Sequence, residues 1–101
     1  MKKIIHLDNS SFFRKIVKMF LTSQGFLVES YGLGTAALNA IDRDTALIIT
    51  ALTFSDMDGE KFIKQAMRCA QNVPIIILTA SRDAKVDMLL QSFGLKDIIL
   101  K

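Results

Sequence analysis

Apolar positions along the chain follow two alternating periods. Lys3 to Leu7, Phe26 to Tyr31, Ala46 to Thr50, Pro74 to Thr79 and Asp97 to Lys101 are short runs rich in Ile, Leu and Val, and they predict five strands. Helical spacing fills the gaps. After Asp8-Asn9, with Ser10 or Ser11 as cap, Phe13, Ile16, Val17 and Phe20 fall at i, i+3, i+4 and i+7. Gly25 is a suitable stop. Gly32 and Gly34 turn the chain into a short alanine-rich helix over Thr35 to Ile41. Asp58-Gly59 opens a third helix with Phe62, Ile63, Ala66, Met67 and Ala70 inward. Ser81 or Asp83 opens a fourth, with Val86, Leu89, Leu90 and Phe93 on one face and Gly94 at its end.

The second strand alternates enough to be a partly exposed edge. The other four are apolar on both faces, which is the mark of a parallel sheet covered on both sides. Pro74 at the first position of its strand is compatible with that. Right-handed crossovers then wind the chain into a doubly wound α/β domain.

Composition narrows the class. The 101 residues are half hydrophobic, enough for one packed core over 1–101, with no linker, repeat or low-complexity segment. No apolar run approaches the ~18 residues of a membrane span, and the opening Met1-Lys2-Lys3-Ile4-Ile5-His6-Leu7-Asp8 meets a charge too soon for a signal peptide. Cys69 is the only cysteine, which excludes an internal disulfide and suits a cytoplasmic location. The net charge of +3 is modest. Its lysines and arginines (Lys2, Lys3, Arg14, Lys15, Lys18, Lys61, Lys64, Arg68 and Lys85 among them) are scattered, so they read as a solvated surface, with neither nucleic acid nor membrane expected as a partner.

In a doubly wound sheet the site lies at the carboxyl ends of the strands. Those ends supply Asp8 and Asn9 after the first strand, Ala51 and then Thr53 after the third, Thr79-Ala80 after the fourth, and Lys101 at the fifth. An acid, an amide, hydroxyls and an ammonium are the parts that hold a divalent cation and a phosphoryl group. No nucleophile stands among them.

These residues, in this order, resemble the CheY-like receiver domains of two-component response regulators. The resemblance runs over the whole chain. It rests on Leu7-Asp8-Asn9-Ser10 followed by Arg14, on Met57-Asp58-Gly59, on Leu78-Thr79-Ala80, and on Lys101 closing the last strand. It implies a flavodoxin-like strand order 2-1-3-4-5 and a place in phosphorelay signalling, not a turnover enzyme. It implies a histidine kinase and a downstream output domain or protein as partners. Carried over, Asp8 and Asn9 take the acidic-pair positions at magnesium, and Thr53 offers the backbone carbonyl. Thr79 is the switch hydroxyl and Lys101 the lysine at the phosphoryl group. Ala51 falls on the phosphoacceptor position.

Four departures qualify the resemblance. Ala51 has no oxygen, so aspartyl-phosphate chemistry is excluded there. Asn9 drops a charge, so magnesium binding should be weak at best. Ser55 replaces a usual proline, and Ile98 a usual aromatic switch residue. Plainer roles stand beside the functional ones. Asp8 could cap the first helix, Thr79 could satisfy a strand end, and Lys101 could be a frayed end or an ion-pair partner for Asp8. Asp56 reads as a cap or a solvated loop acid, His6 as a packed or edge histidine, and Cys69 as inert.

The family's fifth helix is not in the sequence. Its loss should bare one face of strands three to five as an apolar patch, larger than monomers usually expose. Either the chain is a fragment of a longer protein or that face meets another copy or a partner, so a dimer is expected. Functionally, the chain reads as a pseudo-receiver acting through protein contacts. The alternative is a phosphorylatable, magnesium-dependent receiver whose aspartate was replaced by alanine through engineering. A flavodoxin-like cofactor binder is the remote third reading, since Asp8-Asn9-Ser10-Ser11 is too acidic and too short for a phosphate loop.

Overall fold

In the computed structural model, which describes residues 2–95 and 97–101, strand and helix alternate from end to end. The elements are β1 (Lys3–Leu7), α1 (Ser11–Ser23), β2 (Leu27–Tyr31), α2 (Gly34–Ala40), β3 (Thr45–Thr50), α3 (Gly59–Cys69), β4 (Ile75–Thr79), α4 (Ala84–Phe93) and β5 (Ile98–Leu100). All strand pairs are parallel, in the order β2-β1-β3-β4-β5. This is the doubly wound arrangement the pattern predicts, with four helices among the described residues.

The helix ends are fixed by side chains. Ser10 accepts from the Phe13 amide, Asp58 from Lys61 and Asp83 from Val86. Each supplies an acceptor that the first helical turn lacks. Gly94 ends α4 at φ 67°, a backbone state that costs a side-chain-bearing residue energy. The second helix begins at Gly34 rather than after it. Gly34 is buried, and a Cβ there would lie 2.6 Å from the Met57 sulfur.

The two sheet faces are covered unequally. On one, Ile5, Leu7, Ile48, Ile75 and Ile77 pack with Phe62, Ile63 and Ala66 of α3 and with Val86, Leu89 and Leu90 of α4. Each of these large side chains contributes roughly 1.5–3 kcal/mol by leaving water. On the other, a smaller cluster of Ile4, Val28, Ile49 and Leu78 is covered by Val17 and Leu21 of α1.

No residue of α1 is fully buried. The apolar positions that the spacing marks are covered only in part: Phe13 and Val17 are half-buried, and Ile16 and Phe20 are exposed, at 44% and 62%. The apolar arc of the helix is wider than the strip of sheet beneath it. The expected bare face is also redistributed. Ile49 and Leu78 are buried and Ile76 is half-buried, so the largest share of exposed apolar side chains lies on Phe12, Ile16, Met19 and Phe20 of α1, with Phe26 and Leu27 beside it, Ile99 and Leu100 on β5, and Leu33 and Met88 elsewhere.

A further correction concerns Lys3, read from sequence as a surface lysine. It is only 8% exposed. Its ammonium donates to Glu29 Oε1 at 3.2 Å, the Ala40 carbonyl at 2.9 Å and Asp42 Oδ2 at 3.1 Å. Burial works against its charge, but the hydrogen bonds to Asp42 and Glu29 outweigh it and raise its pKa.

Candidate functional site

Backbone pairing sets the carboxyl edge. The Asp8 amide donates to the Tyr31 carbonyl at 3.0 Å, the Ala51 amide to Leu7 at 2.8 Å, and the Lys101 amide to Thr79 at 2.7 Å. The ladder therefore continues one residue past β5 and holds Lys101 in place. Its ammonium reaches across the edge to Asp8 Oδ2 at 3.0 Å and lies 4.5 Å from the centre of the Phe13 ring. The expected ion pair with Asp8 is present, and the ring adds a cation–π contact.

Asp8 is completely buried. Its Oδ1 accepts the Ser10 amide at 2.9 Å, and the Arg14 guanidinium donates to its backbone carbonyl. Asp8 therefore orders the turn into α1 as well as meeting Lys101. Oδ2 touches the ammonium as a charge contact without hydrogen-bond geometry. The pairing is electrostatic and leaves the oxygen under-coordinated.

Beside this pair lies a cavity of about 200 Å³ lined by Asn9, Ala51, Thr53, Thr79, Ala80 and Lys101, with Leu52 and Leu78. Ala51 is 4% exposed. Its carbonyl accepts the buried Thr50 hydroxyl at 2.7 Å, and Thr79 Oγ1 donates to the Ser81 carbonyl at 3.1 Å. Thr53 and Asn9 are exposed, and Thr53 bridges to Asp58 across the loop. The structure thus gathers Asn9, Ala51, Thr53, Thr79 and Lys101 on one cavity, with Asp8 behind Lys101. A larger cavity of about 330 Å³ lies at the opposite edge near Pro74 and Phe93, with Asp97 as the charged residue in its lining. Chemistry, not size, selects the carboxyl edge.

His6 is a packed histidine, one of the two placements read from its position in the sequence. It is fully buried on the face of β1 shared with Asp8, its Nε2 is 4.0 Å from Asp8 Oδ2, and neither ring nitrogen has a hydrogen-bond partner. Burial lowers its pKa to about 4, against the pull of Asp8 and with help from Lys101 and Arg14. Ser30, its register partner on β2, also carries a buried hydroxyl without a partner. Only the period-2 spacing from Asp8 pointed to His6; nothing local pointed to Ser30.

Asp56 acts as a cap, as expected, but for a distant helix. It accepts the Gly34 amide, the Thr35 amide and the Thr35 hydroxyl, each at 2.9 Å. Leu33 at the N-cap of α2 supplies no such acceptor, so the loop after β3 does. Those bonds, the Thr35 amide first, lower the Asp56 pKa.

Magnesium fits this residue set poorly. It needs several hard oxygen ligands in near-octahedral array, carboxylates above all. Among the described residues, Asp8 is the one carboxylate directly at a strand end of this edge, since Asp56 and Asp58 of the neighbouring loop are held by the first turns of α2 and α3. One oxygen of Asp8 holds the Ser10 amide and the other touches Lys101. Among the described residues, no three His, Cys, Asp or Glu side chains are grouped to hold a metal ion.

Comparisons with known proteins agree with the fold. The family model of the response regulator receiver domain matches residues 4–101. Regulatory protein VanRc of Enterococcus gallinarum is 27% identical over 101 residues, covering 99% of this chain but 43% of its own length. The chain thus spans less than half of that relative. Chemotaxis protein CheY of Thermotoga maritima is 28% identical over 104 residues, covering 99% of this chain and 85% of its own. The solved structure of chemotaxis protein CheY4 of Vibrio cholerae superposes with a TM-score of 0.89 at 25% identity, over 100% of this chain and 87% of that one.

Proposed function

This chain belongs to the response regulator receiver domain family, and from that premise we propose that it signals without being phosphorylated at position 51. One observation carries the proposal. At the carboxyl end of β3, on the cavity shared by Thr79 and Lys101, the side chain is that of Ala51. A methyl group cannot accept a phosphoryl group. The Asp8–Lys101 ion pair supports the same reading, because the two charges that would serve magnesium and phosphate neutralise each other. The domain then acts in the cytoplasm by docking to a kinase, an output domain or another copy of itself, and it turns over no substrate.

The test is incubation with acetyl phosphate and magnesium, read by intact-protein mass, for this chain and for Ala51→Asp. No phosphorylated species should form on the parent. A parent that is labelled stoichiometrically would sink the proposal. The second reading, an engineered alanine in a phosphorylatable receiver, is favoured by the survival of Asp8, Thr79 and Lys101 around the cavity. Magnesium with beryllofluoride separates the two. NMR shifts confined to the Ala51→Asp variant and spreading to Thr79 and Lys101 support engineered silencing. No response in either protein supports a scaffold whose metal site is dismantled.

Self-association belongs to the same proposal. The apolar side chains left open on α1 and at Ile99 offer a surface for a second copy. Sedimentation should show a dimer that Phe20→Lys dissociates, whereas a monomer indifferent to apolar dyes counts against it.

A further inference from the structure

The groups around the carboxyl-edge cavity add up to a site of opposite sign from the one the family resemblance implies. The charges that face Asp8 are Lys101, in contact at 3.0 Å, and Arg14, whose guanidinium donates to the Asp8 carbonyl. His6 beside them is neutral at ordinary pH, its pKa held near 4 by burial. One acid and two bases leave the cluster at about one net positive charge. The two acids of the neighbouring loop keep their charges but turn them away from the cavity, Asp56 to the start of α2 and Asp58 to the first turn of α3, and neither lines it. The cavity itself is lined by an ammonium residue, an amide residue and two hydroxyl residues, with no acid among them.

We infer that this cavity takes a small carboxylate monoanion, bound non-covalently between Lys101 and Thr79 over Ala51. Rotatable donors and a compact ammonium suit a carboxylate. The ammonium has three protons, and Asp8 and the Phe13 ring account for two directions. The Thr79 hydroxyl donates to an exposed backbone carbonyl, a bond that water can replace when the hydroxyl turns inward. At about 200 Å³ the cavity has room for several water-sized groups. In the lining itself Lys101 is the one charged side chain, so a monoanion meets it one for one, whereas a phosphate dianion brings a second charge with no partner. The inference rests on the reading of Ala51 as a lost acidic side chain: the ligand occupies the place that a side chain at 51 would otherwise fill.

The test is an amide-resonance titration of the whole chain with sodium acetate, against sodium chloride at matched ionic strength. Ala51, Leu52, Thr79, Ala80 and Lys101 should shift together and saturate with acetate alone. Ala51→Asp, which brings its own carboxylate to the cavity, should weaken acetate at least about tenfold, as loss of charge-assisted bonds does. Lys101→Gln should weaken it comparably. Magnesium chloride should not compete, and inorganic phosphate should bind more weakly than acetate. A capped aspartyl peptide gives the source: tighter than acetate, the ligand is a carboxylate borne by a protein; weaker, it is a free small acid. Shifts no larger than with chloride, or saturable shifts untouched by Ala51→Asp, overturn the inference. That failure is separable from failure of the unphosphorylated-receiver reading, which appears instead as phosphorylated parent protein in the acetyl phosphate experiment.

Discussion

Lys3 stands at the amino end of β1 and Lys101 just beyond β5 at the carboxyl edge, and each ammonium meets carboxylate at close range. Lys3 has three acceptors between 2.9 and 3.2 Å. Lys101 has one oxygen at 3.0 Å, off the hydrogen-bond direction, and a ring. The acids differ in the opposite sense. Glu29 and Asp42 keep 36% and 54% of their side chains exposed, while Asp8 keeps none. A well-satisfied lysine with wet partners is a structural clamp. A poorly satisfied lysine on a dry partner, beside a cavity, has bonding capacity left for a ligand.

The largest expected effect follows from the dry acid. Lys101→Met keeps the apolar stem and removes the charge, leaving Asp8 buried and unpaired. Breaking such a pair from one side costs about 3–5 kcal/mol. Urea unfolding should show a lower midpoint at unchanged m. A loss under about 1 kcal/mol would mean that the pair carries no more than a surface ion pair does.

Next comes acid. His6 titrates at 6.5 when unfolded and at about 4 when folded. Between those values the unfolded chain binds more protons, so stability rises with pH and is lost as pH falls from 6.5 towards 4. The full window is worth roughly 3 kcal/mol at about 1.4 kcal/mol per unit. Unfolding midpoints across that range should fall accordingly, and His6→Leu should flatten the slope. An unchanged slope in the variant would show that other groups set the acid limit. Lys3 has no counterpart to this limb, because its raised pKa places its loss of stability on the alkaline side.

How far the two lysines could be read from sequence differs for a physical reason. Lys101 carried its meaning through strand-end position, which topology converts into a site, and its pairing with Asp8 was foreseeable there. Lys3 did not. Its partners lie 26 and 39 residues away, and an amphipathic side chain beside a terminus gives no local sign of burial. The same limit hid Ser30 and the role of Asp56 across 21 and 22 residues. On α1 the period was right, and Phe13, Ile16, Val17 and Phe20 do mark an apolar helix face, but periodicity does not say how much sheet lies under it. Caps at Ser10, Asp58 and Asp83 were legible because their chemistry is local.

Lys3→Met should therefore cost less than Lys101→Met, about 1 kcal/mol, although it removes more bonds. Glu29 and Asp42 turn to water, and the chief loss is the hydrogen bonds to a charged donor. An equal or larger loss would place the amino-end clamp, not the carboxyl edge, as the main electrostatic contributor.

The smallest effect is the most discriminating. Asp8→Asn removes the buried charge but keeps an oxygen for the Ser10 amide, and Lys101, whose side chain is 16% exposed, can carry its ammonium to solvent. The change should cost less than about 1 kcal/mol, because neutralising the desolvated partner relieves the penalty that its pairing offset. Combined with Lys101→Met, it should recover most of what that substitution alone loses, since no buried charge is then left unpaired. The coupling read from the four proteins should reach about 2–3 kcal/mol. Strict additivity would mean that the 3.0 Å contact carries no energy. In that case the under-coordinated oxygen would reflect local packing alone, and the contrast between the two lysines would reduce to their number of acceptors.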